Sequence, residues 1–126
     1  MALTKENTIN FLSELEGYHQ ALKLCHWNTT CKAEHLLTDD IDGDVLEFED
    51  SVAENAMGIL GDRISEGLKA LIPNNKELKG MLEEMENDVI DFRNNFKNED
   101  NCIGLVNCCD DFLQSINKWK YLETFE

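Results

Sequence analysis

Two histidines and three carboxylates recur at spacings that could assemble a metal site. His35 lies nine residues after His26, and Asp39 follows His35 by four residues, which places the two side chains on one face of a helix. Asp50 comes fifteen residues after His35, and Glu54 follows four residues later. Imidazole nitrogens and carboxylate oxygens are the mixed donors that suit iron, with positions left open for an oxidant.

A zinc site is the alternative interpretation of the same stretch. Cys25, His26, Cys31 and His35 form a set of four possible zinc ligands. Structural zinc sites usually take their ligands from C-x2-C knuckles, whereas adjacent residues near the end of a helix point about 100° apart. We therefore favour the mixed histidine and carboxylate set, with the cysteines as bystanders.

The spacing of this set has a consequence for how a site could form. Fifteen residues of continuous helix extend about 22 Å, so His35 and Asp50 of one chain cannot bind the same ion. If they do share a metal, the second half comes from another subunit. A two-fold axis that pairs two antiparallel helices would create two identical sites.

The elements that must position these residues are helical. Apolar residues recur at spacings of three and four, which predicts four long helices, at about 5–29, 35–60, 75–97 and 101–124, and a short helix within 62–73. This order predicts an all-α, ferritin-like four-helix bundle in a single domain, 1–126, with the short helix as the crossover between the second and third long helices. On the second helix, Asp50 and Glu54 lie opposite the apolar residues, so they face away from the core.

Composition restricts the classes of function. The formal net charge is -15, with 26 acidic and 11 basic residues, which argues against a nucleic-acid surface and favours attraction of cations. No segment is apolar for long enough to cross a membrane, and the amino-terminal residues do not resemble a signal peptide. We therefore expect an intracellular protein with free thiols, no membrane association, and weak or absent DNA binding.

The combined pattern resembles the ferroxidase motif of the Dps mini-ferritins, the DNA-binding proteins from starved cells. The resemblance extends over most of the chain, and short members of this kind are also encoded by viruses and phages. It rests on the pair His26-Trp27 and on His35, Asp39, Asp50 and Glu54. The spacing between the two histidines is shorter than in that family by about one helical turn.

The resemblance implies a function and roles for these residues. His26, His35 and Asp39 of one subunit, with Asp50 and Glu54 of its partner, would bind Fe(II) at a two-fold interface. Hydrogen peroxide or dioxygen would oxidise the iron, and ferric oxide would collect inside a twelve-subunit shell, which protects against oxidative stress. Trp27 would shape the site and take up stray oxidising equivalents.

Two other functions remain open from the sequence. One is a structural assembly protein that keeps the interface and has lost the chemistry, and the other is an acidic monomeric bundle that binds a basic partner. His19, one heptad before His26, is a candidate further ligand, although packing is the commoner role for such a residue. Asp42 and Glu47 are candidate accessory groups.

Overall fold

The structure is a computed structural model, and it describes residues 2–125. The first and last residues of the predicted 1–126 domain lie outside the described residues. The described chain is helical and contains no strand. Its four helices are α1 (Lys5–Asn28), α2 (Lys32–Leu60), α3 (Leu78–Asn94) and α4 (Ile103–Leu122), with a 3-10 turn at Asp100–Cys102 before α4.

The ends of α1 and α2 follow from local side-chain chemistry. Thr4 caps α1, because its Oγ1 accepts a hydrogen bond from the Asn7 amide at 3.0 Å. The Asn7 side chain returns the contact by accepting from the Thr4 amide at 2.8 Å. Gly61 ends α2 with a φ of 66°, a left-handed conformation that glycine adopts without steric cost.

The helices form a bundle-like arrangement in which α1 contacts α2 and α3, and α4 contacts the same two helices. Each helix contributes one phenylalanine to the centre. Phe11 of α1 stacks on Phe92 of α3 with ring centroids 4.2 Å apart, and Phe48 of α2 stacks on Phe112 of α4 at 4.0 Å. Phe11 also meets Phe48 edge to face at 5.9 Å. Aromatic contacts thus join all four helices in the core.

The predicted apolar stripes account for much of this core. In the third predicted helix, 75–97, apolar residues spaced by three and four form a stripe that is buried throughout, and its last member lies just beyond the end of α3; the stripe consists of Leu78, Leu82, Met85, Val89, Phe92 and Phe96. Of the apolar stripe predicted for α2, Val45, Phe48, Val52 and Ala56 are buried, whereas its last member, Ile59, is only partly buried. Among residues 2–125, none of the helices combines the length and the apolar character that a membrane crossing requires.

The short helix predicted within residues 62–73 is not formed, and residues 62–77 lack helix altogether. The Leu71 amide instead donates to the Ser13 carbonyl of α1 at 3.0 Å, so the segment pairs with a neighbouring helix rather than with itself. Pro73 also disfavours helical geometry in the residue before it. The segment lies directly against α1 because Gly17 has no Cβ, which would overlap the Leu71 carbonyl.

Candidate metal site

The connection between α1 and α2 brings His26 and His35 together. Only residues 29–31 separate the two helices. The Thr29 amide donates to the Cys25 carbonyl at the end of α1, and the His35 amide donates to the Cys31 carbonyl at the start of α2, both at 3.0 Å. The chain therefore reverses within three residues, and the last turn of α1 lies beside the first turn of α2.

The two imidazole rings are stacked. Their centroids lie 3.8 Å apart, with an interplanar angle of 16°. His26 Nδ1 lies 2.6 Å from the His35 carbonyl oxygen, and His35 Nδ1 lies 2.8 Å from the His26 carbonyl oxygen. The short spacing between the histidines therefore holds the two rings against each other instead of separating them.

These reciprocal contacts determine which ring nitrogens are available to a ligand. A carbonyl oxygen can only accept a hydrogen bond, so Nδ1 of each ring donates. In the neutral rings, Nε2 of His26 and of His35 then carries the free lone pair. Metal-binding histidines commonly donate their second ring nitrogen in this way, to a backbone carbonyl or a carboxylate.

The polar residues predicted on α2 share its solvent face. At 100° per residue, one arc of about 100° contains a set that we call the outward stripe. It consists of His35, Asp39, Gly43, Leu46, Asp50 and Glu54. All six residues are exposed, and Leu46 retains 41% of its accessible surface.

Asp50 and Glu54 interact with each other on this stripe. A side-chain hydrogen bond with Asp50, together with its negative charge, raises the pKa of Glu54. The two carboxyl groups therefore lie close together, one helical turn apart on α2. They form a second, separate group of candidate ligands.

The structure does not bring the five predicted ligands together within one chain. His26 and His35 meet, and Asp39 lies one helical turn beyond His35. Because α2 is continuous from residue 32 to residue 60, about 22 Å of helix separates His35 from Asp50. Within residues 2–125, no three His, Cys, Asp or Glu side chains form a group that could hold a metal ion.

Trp27 lies outside the core, with 66% of its surface exposed. The Lys23 ammonium is 5.4 Å from the centroid of its ring, at cation-π distance. Leu24 and Leu36, on either side of the turn, are also more than half exposed. Three large apolar side chains close to the histidines in the sequence are therefore exposed to solvent.

The cysteines do not assemble the zinc alternative within the described residues. The Cys25 thiol donates to the Lys76 carbonyl, before α3, at 3.1 Å. Burial is the main cause that raises the pKa of Cys25, which disfavours the thiolate that zinc binds. All five cysteines are free thiols.

The structure pairs His19 with Asp42, a contact that the sequence analysis did not predict. His19 Nδ1 of α1 lies 2.6 Å from Asp42 Oδ1 of α2, and both side chains are largely buried. From the sequence, His19 is a candidate further ligand and Asp42 a candidate accessory group, with no link between them. No sequence pattern joins residues 23 positions apart on two helices, so only the packing reveals this pair.

Glu49 is a further polar group of interest, although its spacing along the chain does not distinguish it from other acidic residues. It lies on α2, beside the outward stripe and toward α1. Burial, and then a hydrogen bond with Glu16 of α1, raise the pKa of Glu49 to about 7. One of its carboxyl oxygens is buried and has no hydrogen-bond partner.

A groove of about 660 Å³ lies on the other side of the turn. Its walls include Leu24, Cys25, Ile72, Pro73 and Leu78, with charged groups of both signs among the remaining lining residues. Neither His26 nor His35 lines it, so the groove and the histidine pair are separate features.

None of the family models, curated proteins or solved structures compared with this chain matches the chain.

Proposed function

We propose that the chain is a ferritin-like four-helix bundle of the Dps kind, a mini-ferritin that oxidises Fe(II) at a site shared by two subunits and stores the ferric product in an oligomeric shell. The observation that carries this proposal is the histidine pair. Two imidazoles lie in contact at an exposed turn, and both Nδ1 atoms are bonded to backbone carbonyls. This arrangement leaves two nitrogen donors for a metal that enters from outside.

The chemistry of the donors fits iron as the substrate. His26 and His35 would supply nitrogen, and Asp39 would supply oxygen from the next turn of α2. Asp50 and Glu54 of the partner subunit would complete the site with carboxylate oxygens. Such mixed donors suit Fe(II), and peroxide would accept one electron from each of two Fe(II) ions.

The positions along the outward stripe support an antiparallel dimer. A two-fold axis that crosses α2 between Asp44 and Val45 places His35 opposite Glu54 of the partner subunit, and it also places Asp39 opposite Asp50 of the partner subunit. A single axis thus satisfies both pairings. The same axis sets Gly43 opposite Leu46 of the partner subunit, so an exposed leucine would meet the position that lacks a side chain.

Complementation between two inactive variants tests the shared site. We expect His35→Ala subunits and Asp50→Ala/Glu54→Ala subunits each to oxidise iron at the background rate. When they are refolded together in equal amounts, half of the dimers are mixed, and each mixed dimer keeps one intact site. Activity should then return to about a quarter of the wild-type value, because one site in four is intact.

The readout is the absorbance of ferric product after Fe(II) is mixed with peroxide or with dioxygen. Glu83→Ala is the matched control, since it removes an exposed carboxylate from α3 and should oxidise iron at the wild-type rate. If the mixed sample stays at background while the wild type is active, the site is not shared. If the wild type and the double carboxylate variant oxidise iron equally, there is no ferroxidase site on this stripe.

Self-association is tested separately by analytical ultracentrifugation. A shell without iron oxidation would favour the structural assembly protein, and a monomer would favour the acidic bundle with a basic partner. Gly43→Ala should weaken the dimer, because the new methyl group would meet Leu46 of the partner subunit. Gly58→Ala is the control, since residue 58 lies on α2 outside the outward stripe and a Cβ there has no neighbour within 4 Å.

A further inference from the structure

The interface between α1 and α3 contains a cluster of acidic groups that the proposed iron site does not use. We call it the acid seam. It consists of Glu14 and Tyr18 of α1 and of Glu84, Asp88 and Asp91 of α3. None of these residues belongs to the histidine pair or to the outward stripe.

Asp88 lies at the centre of the acid seam. The Tyr18 hydroxyl of α1 donates to Asp88 Oδ2 of α3 at 2.5 Å, and Glu14 lies close enough to Asp88 for the two carboxyl groups to interact. Two partly buried carboxyl groups this close to each other favour a state in which one of them keeps its proton. Burial, and then the charge of Asp88, raise the pKa of Glu14 to about 7, while burial is also the main cause that raises the pKa of Asp88.

None of the acidic residues of the seam belongs to an ion pair among residues 2–125. Glu84 and Asp91 add negative charge near Glu14. The interface between α3 and α4 differs, because it contains the ion pairs Arg93–Asp110 and Lys120–Glu86.

The segment between α2 and α3 is attached to both sides of this seam. On the α1 side, the Leu71 amide donates to the carbonyl of Ser13, the residue before Glu14. On the α3 side, the Asn74 and Asn75 amides each donate to the Glu84 carboxylate at 3.0 Å. Burial would raise the pKa of Glu84, but these hydrogen bonds lower it, so Glu84 accepts them as a carboxylate.

We propose that the acid seam, together with the 62–77 segment attached across it, is a pH-sensitive latch that is closed in acid and loosens as the pH rises through neutrality. Loss of the Glu14 proton leaves facing carboxylates that repel each other across α1 and α3. The segment is attached to both helices, so its bonds to Ser13 and Glu84 are strained as the helices separate. This latch does not depend on the proposed iron chemistry.

The raised pKa of Glu14 determines that the latch loosens as the pH rises. A carboxyl whose pKa is raised in the folded state contributes stability that is present below its ordinary pKa of 4.5 and lost as the pH rises through about 7. The full shift corresponds to about a 300-fold change in the opening equilibrium. Partial exposure of Glu14 screens this effect, and we expect at least about a tenfold change.

Hydrogen exchange of the latch amides, measured by NMR on the full chain, tests the proposal. Between about pH 5.5 and about pH 8.5, exchange of the Leu71, Asn74 and Asn75 amides should accelerate at least about tenfold beyond the intrinsic pH dependence. Amides in the middle of α4 should show a smaller change. Glu14→Gln, which stays neutral, should abolish the additional acceleration at all three positions.

Two further variants make the result specific. Glu83→Gln removes one exposed charge from α3 and should keep the wild-type pH dependence. Asp88→Asn still accepts from Tyr18 and should behave like Glu14→Gln, which covers the case in which one variant does not fold. The latch is refuted if Glu14→Gln or Asp88→Asn, folded by circular dichroism, keeps the wild-type acceleration. It is also refuted if the wild type shows no acceleration.

Discussion

Replacement of Gly17 by alanine should destabilise the protein, although alanine is the better helix former. Gly17 lies in the interior of α1, where the 62–77 segment passes over it. A Cβ at this position would overlap the backbone carbonyl group of Leu71 and would lie 3.1 Å from the Ile72 amide nitrogen. Because the obstacle is backbone rather than the end of a flexible side chain, the segment must move away from α1.

The magnitude follows from three contributions. Alanine in a helix interior is favoured over glycine by about 1 kcal/mol. Against this, overpacking costs about 1–3 kcal/mol, and loss of the hydrogen bond from the Leu71 amide to the Ser13 carbonyl costs about 0.5–1.5 kcal/mol. The net expectation for Gly17→Ala is a loss of about 0.5–3.5 kcal/mol in the free energy of unfolding.

Gly58→Ala is the matched control. It makes the same chemical change inside α2, where a Cβ has no neighbour within 4 Å. Only the helix propensity then changes, and we expect a gain of about 0.5–1 kcal/mol. The two substitutions should therefore shift stability in opposite directions.

Urea unfolding followed by circular dichroism at 222 nm measures both variants, at a protein concentration that keeps the association state unchanged. A domain of this size should shift its melting temperature by about 3–5 °C per kcal/mol. If Gly17→Ala is as stable as Gly58→Ala, the 62–77 segment does not lie against α1 as described. If both variants are destabilised, helix propensity does not govern position 58.

Three further predictions follow from buried and exposed groups. The wild type should lose about 1 kcal/mol of stability as the pH rises from about 4.5 to about 7, because the pKa of Glu49 is raised in the folded state and its partial exposure reduces the effect. Glu49→Gln should remove this loss, and equal urea midpoints of variant and wild type at both ends of this pH range would contradict the prediction. In the native state, the Cys109 thiol should react with iodoacetamide at least about 100-fold more slowly than the Cys31 thiol, because burial raises the pKa of Cys109 to about 12. Equal rates for the two cysteines in a peptide-mapping experiment would refute this. Acrylamide should quench Trp27, which is 66% exposed, and leave the 4% exposed Trp119 protected, so a Trp27→Phe variant should retain only weakly quenched emission.

The four helices were predictable because each has an apolar stripe of helical period. The predicted ends lie within three residues of the observed ends. Helix period is a local property of the chain, and burial of the stripe on α3 follows from it directly. The prediction of a short helix within residues 62–73 was wrong. The Leu71 amide bonds to α1 instead of to its own segment, and an apolar composition does not reveal that choice.

The candidate site also has features that the sequence predicted and features that it did not. Sequence spacing placed Asp39, Asp50 and Glu54 on one face of α2, since they belong to a single helix with a fixed rotation per residue. It also indicated that His35 and Asp50 are too far apart to share an ion within one chain. It did not indicate that His26 and His35 would stack, because that contact depends on the path of the three-residue turn between two helices.

By itself, the sequence determined the helical class, the apolar faces and the acidic surface, all of which depend on residue type and on spacing along one helix. Only the tertiary structure decided which helices meet, and with them the pairing of His19 with Asp42, the acid seam and the path of the 62–77 segment. These contacts join residues that are far apart in the chain. Packing of four helices around shared phenylalanines selects them, and no local pattern encodes that choice.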